Sequence, residues 1–238
     1  MTLGPVTVDW HQRFDFGGPR RHPILGICIH TTENDPGTPA ENVAGYQLRT
    51  RSGSYHRLVD DAGRVLLENT DDWTTWSSGN LGNDVLLHVA VVARANMTRA
   101  QWLAPERARM FEALAQVVAY WCRTHGIPPV ILDGPDLLKN KRGLYGHDDT
   151  RIWGGTDHTD PGPGFPWQAL ADRVTAINNP NTPPPPPVGG PTMTDADRQM
   201  LLEIWDQLRG PGGNGWPQLG GRTLVDAVAE LLPEESAR

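Results

Sequence analysis

Apolar and polar positions follow two alternating periods along the first 177 residues. Ile24 to His30 is a compact apolar run closed by a polar residue, the pattern of a buried strand. Tyr55 to Asp60 and Val65 to Leu67 flank Asp61-Ala62-Gly63, which predicts a hairpin. Val85 to Ala93, broken by His88, predicts a third buried strand. Helical spacing takes over between and after these runs. Thr38-Pro39-Ala40-Glu41 reads as a capping box with proline at the first helical position, so a helix is expected to start there. From Pro105 to about His125, the residues Met110, Leu114, Val117, Val118 and Trp121 fall on one side, and Gly126 supplies the stop. This alternation predicts an α/β fold, a mixed central β-sheet flanked by helices. No internal repeat is visible.

The pattern changes at residue 178. Residues 178–192 read NNPNTPPPPPVGGPT, with five consecutive prolines from Pro183 to Pro187. Such a run offers no backbone donors and adopts an extended polyproline II spacer, here roughly 15 Å long. The chain is therefore expected to comprise a folded domain over 1–177, a linker over 178–192 and a small helical module over 193–238. In that module Thr194 is placed to cap a helix whose Leu201, Ile204, Trp205 and Leu208 form one stripe. RGPGGNGWPQLGGR interrupts, and Thr223 then precedes Leu224, Val225, Val228, Leu231 and Leu232, again one helical face. Two such helices bury little surface alone, so the module reads as one for docking, wall binding or self-association.

Composition narrows the function. With 238 residues, 38% hydrophobic and 21% charged, collagen, coiled coil and wholesale disorder are excluded. Twenty-one basic residues against 28 acidic ones give a formal net charge of −7, which repels nucleic acid and anionic lipid. No nucleic-acid partner and no membrane insertion are expected, since no apolar run approaches the roughly 20 residues that span a bilayer. MTLGPVTVDWHQRFDF lacks the basic start and apolar core of a secretory signal, so synthesis in the cytoplasm without a signal peptide is expected. The two cysteines, Cys28 and Cys122, exclude a disulfide framework, and Cys28 reads as a small buried hydrophobe.

Two segments stand apart from the packing pattern. ICIHTTE, residues 27–33, places His30 at the end of a buried strand, where ligands collect in α/β folds. GHDDTRIWGGTDHTDPGPGFPW, residues 146–167, is a long loop containing His147, His158 and Asp160. Imidazole and carboxylate are groups that zinc accepts, and three protein ligands with an open fourth position mark a catalytic site. Spacing alone leaves open whether His158 is a ligand beside Asp160.

IHTTE, SYHRLVDDAG and GHDD…HTDPGPGFPW, in this order, resemble the type 2 family of zinc-dependent N-acetylmuramoyl-L-alanine amidases, which also holds phage endolysins and the peptidoglycan recognition proteins. The resemblance covers about residues 20–172. It implies zinc held by His30, His147 and Asp160, bacterial peptidoglycan as the partner, and cleavage between N-acetylmuramic acid and L-alanine. For a phage or prophage endolysin it implies action on the wall after release through a holin-type lesion. The stretch GWPQLGGRTLVDAVAEL is similar to C-terminal tails of lytic enzymes from phages of actinobacteria.

The sequence departs from that family in three places. Ala90 stands where many relatives carry a catalytic glutamate; Tyr55 and His158 match the Tyr-plus-Lys arrangement of the phage enzymes, with histidine replacing lysine; and Ser77 replaces a frequent groove histidine. Tyr55 and His158 are thus candidates to stabilise an oxyanion, and His158 to protonate the leaving nitrogen. Glu33 is a candidate orienting group or base. Trp76, Trp153 and Trp167 flank the groove in sequence and could stack on sugar rings, but core packing is the expected use of each; His56 is expected to be structural, and His11, His22, His88 and His125 carry no motif. Two other functions remain at this stage. One is a peptidoglycan-binding module without catalysis; the other is a zinc peptidase acting within the stem peptide.

Overall fold

The computed structural model describes residues 3–180 and 195–230. In chain order these form β1 (Val8–Asp9), β2 (Gly18–Pro19), β3 (Gly26–Thr31), α1 (Ala40–Thr50), β4 (Arg57–Val59), β5 (Val65–Leu67), β6 (Trp73–Thr74), α2 (Gly82–Val85) and β7 (Leu86–Val91). They continue with α3 (Arg99–Trp102), α4 (Ala108–His125), α5 (Gly134–Leu138), β8 (Leu144–Gly146), α6 (Trp167–Asn178), α7 (Asp195–Arg209) and α8 (Leu224–Ala229).

Six strands make one mixed sheet in the order β1-β5-β4-β7-β3-β8, and β2 pairs with β6 in a small second sheet. Only the predicted hairpin β4–β5 is antiparallel within the large sheet; the other pairings are parallel. Both faces are covered, which is why β3 and β7 read as unbroken apolar runs rather than alternating ones. On one face Ile27, Ile29, Leu87, Val89 and Val91 pack with Met110, Leu114, Val118 and Trp121 of α4 and with Leu170 and Val174 of α6. On the other, Leu58, Leu66 and Ala90 pack with Ala40, Val43 and Ala44 of α1 and with Phe14 and Phe16. The mixed sheet between helices is the architecture that the sequence predicts.

The start of α1 falls where the sequence places it, but the capping box does not form. Thr38 Oγ1 donates to the Asp35 carbonyl at 2.8 Å, and Glu41 pairs with Arg64. The cap comes instead from the hairpin, because Asp60 Oδ2 accepts the Ala40 N–H at 3.2 Å while its Oδ1 accepts the N–H groups of Ala62 and Arg64. One buried carboxylate thereby ties helix to turn. The helix expected from Pro105 opens with a 3₁₀ turn, Pro105–Arg107, and ends at His125 with Gly126 in the left-handed conformation.

Helix α6 runs one residue past the predicted boundary at 177, and the chain divides into two compact units between Pro185 and Pro186. Thr194, Leu231, Leu232 and most of the predicted spacer lie outside the described residues. In the second unit Thr223 and Asp226 form a capping box at α8, and the Trp216 indole N–H donates to the Gln207 carbonyl at 3.0 Å. Leu201, Ile204, Trp205 and Leu208 of α7 are exposed. Among the described residues no helix is long and apolar enough to cross a membrane.

Candidate metal centre and groove

Parallel pairing of β3 with β7 sets His30 beside Ala90 and Cys28 beside His88, all completely buried. Strand β8 delivers His147, whose N–H donates to the Asp160 carbonyl at 2.9 Å. The Thr31 N–H donates to Asp160 Oδ2 at 3.2 Å, closing the loop onto the end of β3. The Pro-Gly-Pro-Gly stretch after Asp160 packs backbone against backbone. A Cβ on Gly162 or Gly164 would collide with the carbonyls of Ala95 and Met97, and Gly162 has a φ of 86°.

These contacts converge the expected ligands. One ligand atom from each of His30, His147 and Asp160 lies within 4.8 Å of the other two. His30 Nδ1 is 3.2 Å from Asp160 Oδ2, and His147 Nδ1 is 3.0 Å from Asp160 Oδ1. His158 Nδ1 lies farther out, 3.6 Å from Asp160 Oδ1, with its side chain 66% exposed and its ring stacked on His147 at 4.8 Å. Burial opposes ionisation of Asp160, yet its hydrogen bond with His147 holds the carboxyl well below the usual carboxylate range.

The hydrogen-bond network assigns the protons on His30 and His88. His88 Nε2 faces the Gly82 carbonyl at 2.9 Å and must carry a proton to donate to it. His88 Nδ1 is then an acceptor, and it meets His30 Nε2 at 2.9 Å. The remaining nitrogen, His30 Nδ1, is a lone pair; it is buried and makes no hydrogen bond despite its nearness to Asp160. A lone pair and a carboxylate oxygen facing each other without a proton between them is an arrangement that a cation resolves. Burial lowers the pKa of His30, which keeps its imidazole neutral. Two imidazoles and one carboxylate are a donor set that fits zinc.

Cys28, His30 and His88 also lie close enough to form a ligand group. There, however, His30 Nε2 and His88 Nδ1 are already bonded to each other, and burial pushes the Cys28 thiol far up. His88, which carries no motif in the sequence, is thus a hydrogen-bond partner of the candidate ligand His30 rather than a free core histidine. His56 turns to the opposite face, toward Trp121, and its Nδ1 accepts the His88 N–H at 2.9 Å.

Tyr55 stands on the ligand side of the sheet, its ring 5.2 Å from that of His30. Burial, with Asp160 nearby, drives its phenol far above the ordinary range, so the hydroxyl remains a donor. Its backbone is gripped twice. Glu68 Oε2 accepts the Tyr55 N–H at 2.5 Å, and the Asn69 amide donates to the Tyr55 carbonyl at 2.7 Å. Burial raises the Glu68 carboxyl well above its usual pKa, and its Oε1 has no partner. Glu33 adopts φ 59°, and its Oε1 accepts from Thr31 Oγ1 at 2.6 Å and from the Ala95 N–H at 2.9 Å.

A groove of about 960 Å³ opens at this cluster, lined by Tyr55, His147, His158 and Asp160 together with Tyr46, Gln47 and Trp76. Ser77, in the place of the frequent histidine, donates to the Ser54 carbonyl at 2.6 Å and forms part of the wall. Glu33 also lines it. Of the three tryptophans, Trp76 lines the groove, whereas Trp153 packs with the cluster around Cys28, Leu86 and Tyr145 and Trp167 joins the main core against Phe165, as core packing predicts. Their large apolar rings gain more from burial than from the groove edge.

Residues 193–236 match the model of the Rv3766 C-terminal domain. The uncharacterized protein Rv3766 of Mycobacterium tuberculosis is 49% identical over 61 residues, which cover 21% of this chain and 22% of that protein. The chain thus spans about a fifth of the length of that curated relative. Among solved structures, the Staphylococcus aureus hydrolase AmiA, in complex with its ligand, aligns at 19% identity with a TM-score of 0.58, covering 75% of this chain and 85% of its own. The endolysin of Thermus scotoductus bacteriophage Ph2119 aligns at 19% identity with a TM-score of 0.50, covering 70% and 97%. At such identities the two structures establish a shared fold. Residues 20–163, more than half of the chain and the whole of the candidate site, match the model of the N-acetylmuramoyl-L-alanine amidases. The chain belongs to the N-acetylmuramoyl-L-alanine amidase family.

Proposed function

We propose that this chain is a zinc-dependent peptidoglycan hydrolase that cleaves the amide between N-acetylmuramic acid and L-alanine. The observation that carries this reading is the unpartnered, buried His30 Nδ1 aimed at Asp160 beside His147, at an open groove. His30, His147 and Asp160 would hold the ion. Zinc, when bound, supplies a Lewis acid that polarises the scissile carbonyl and makes water acidic enough to attack it near neutral pH.

The remaining chemistry belongs to the side chains around it. Water adds to the lactyl carbonyl carbon, and negative charge develops on the carbonyl oxygen. Tyr55, protonated and with its backbone fixed, donates to that oxygen. His158, exposed at the groove mouth and stacked on His147, is placed to hand a proton to the departing L-alanine nitrogen as the C–N bond breaks. Glu33 keeps Oε2 uncommitted at the groove wall and is the carboxylate available to take the proton from water, since Ala90 offers none.

A role as a phage or prophage endolysin, reaching the wall through a holin-type lesion, belongs to the same proposal. So does self-association through the second unit, which the exposed stripe on α7 supports. Mass analysis of digested walls tests the bond assignment. Free stems beginning with L-alanine are expected; fragments cut within the stem would make the protein a peptidase, and wall binding without fragments a recognition module.

A further inference from the structure

The groove walls carry a charge pattern that bears on which stems enter. Apart from the ligand Asp160 and the two imidazoles beside it, the charged side chains lining the groove are Glu33 and Asp157, both acidic. No lysine or arginine lines it among the described residues. Among the arginines close in sequence to the lining residues, Arg49 donates to the Gly45 carbonyl, Arg51 pairs with Asp15 and Arg57 with Asp71. Neutral polar groups replace cations. Gln47 on α1 is only 6% exposed, and its Oε1 has no hydrogen-bond partner; Thr32 Oγ1 is likewise buried and unpartnered. Both residues line the groove.

Peptidoglycan stems exist in two charge forms at the residue after L-alanine. Its α-carboxyl is either a carboxylate or a primary carboxamide, and it follows the scissile bond by two residues, about 7 Å of extended chain. A carboxylate entering this groove sheds water, meets no lysine or arginine along the walls and faces the carboxylates of Glu33 and Asp157. A carboxamide carries no charge and brings two N–H donors and one acceptor. Gln47 Oε1 is a buried acceptor that otherwise lacks a donor, and leaving it unmet is unfavourable.

Resting on the amidase reading above, we infer that the groove selects stems whose second residue is amidated at its α-carboxyl, with Gln47 as the acceptor for that carboxamide and Asp157 as a group that repels the free acid. The test uses the full zinc-loaded chain and two synthetic N-acetylmuramoyl peptides that differ only in carboxamide against carboxylate at this position. The amidated peptide is expected to show a kcat/KM higher by about tenfold or more. Calorimetric Kd values for the metal-free chain are expected in the same order. Asp157→Lys, at an exposed site, should narrow the ratio, and Gln47→Leu should narrow it by slowing the amidated peptide. Equal rates, or faster cleavage of the free acid, would overturn the selectivity while leaving the amidase reading intact. Cleavage of neither peptide would overturn both.

Discussion

His30 Nε2 and His88 Nδ1 lie 2.9 Å apart between two completely buried rings, and that contact decides which nitrogen of His30 faces Asp160. Because His88 Nε2 is committed to the Gly82 carbonyl, His30 must donate through Nε2 and present Nδ1 as a lone pair. Replacing His88 by phenylalanine removes the acceptor and leaves His30 free to take the wrong tautomer. Zinc affinity, measured by competition with a chromogenic chelator, should then fall by about 10- to 100-fold. His88→Gln, whose carbonyl can still accept, should recover part of it. Unchanged affinity in His88→Phe would show that the contact does not orient the ligand.

Tyr55 supplies the second prediction. Tyr55→Phe keeps the ring against His30 and removes the hydroxyl, so kcat should fall by about 100- to 1,000-fold with zinc affinity unchanged. The grip of Glu68 and Asn69 on the Tyr55 peptide predicts a graded series. Glu68→Leu should lower kcat, whereas Glu68→Gln, which retains an acceptor for the Tyr55 N–H, should restore most of it. Equal losses in both Glu68 variants would assign Glu68 a charge effect rather than a positioning one.

Asp71 tests stability away from the site. Its carboxylate accepts from the Trp121 indole at 3.0 Å and from His125 at 2.9 Å, and it lies 3.4 Å from buried Arg57. Burial opposes its charge, but these partners prevail and depress its pKa. A group whose pKa is depressed on folding adds stability above its unfolded pKa of about 3.9 and loses it as pH falls through the lower folded value. Asp71→Asn should therefore reduce stability by about 2 kcal/mol at pH 7, and the difference from wild type should shrink on acidification below about pH 4. Urea midpoints at pH 7 and pH 3 measure it, and a gap that widens in acid would contradict the assignment.

The division between Pro185 and Pro186 predicts independent units. A chain ending at residue 180 should melt at the same temperature as the first transition of the full chain and cleave a soluble muramoyl peptide at the same rate. On gel filtration the full chain should run larger than a monomer and the shortened one should not. A monomeric full chain that still sediments with walls would make the second unit a wall binder.

The parts of this molecule that sequence reveals are those written in local pattern. The strands around Ile27 and Val89, the hairpin at Asp61 to Gly63, the stop at Gly126 and the motif residues His30, His147 and Asp160 all have signals within a few neighbouring positions. The missed parts depend on distant partners. His88 looks like a fault in an apolar run, and only the parallel register with β3 brings it to His30. Glu68 carries no signal in the sequence, yet the fold buries it completely and sets its Oε2 against the Tyr55 N–H. Thr38 carries a valid capping signal that loses to Asp60, a residue 20 positions from Ala40 in sequence. Gln47 has an ordinary place on a helix, and its missing partner is visible only when the groove is formed.

Metal content paired with product analysis tests the central claim most directly, using wild type and Asp160→Ala on purified walls. One zinc per chain is expected in wild type, with loss of that zinc in Asp160→Ala and release by wild type alone of intact stems with L-alanine at their amino end. Stem release by a zinc-free wild type, or by Asp160→Ala at the wild-type rate, would contradict that claim.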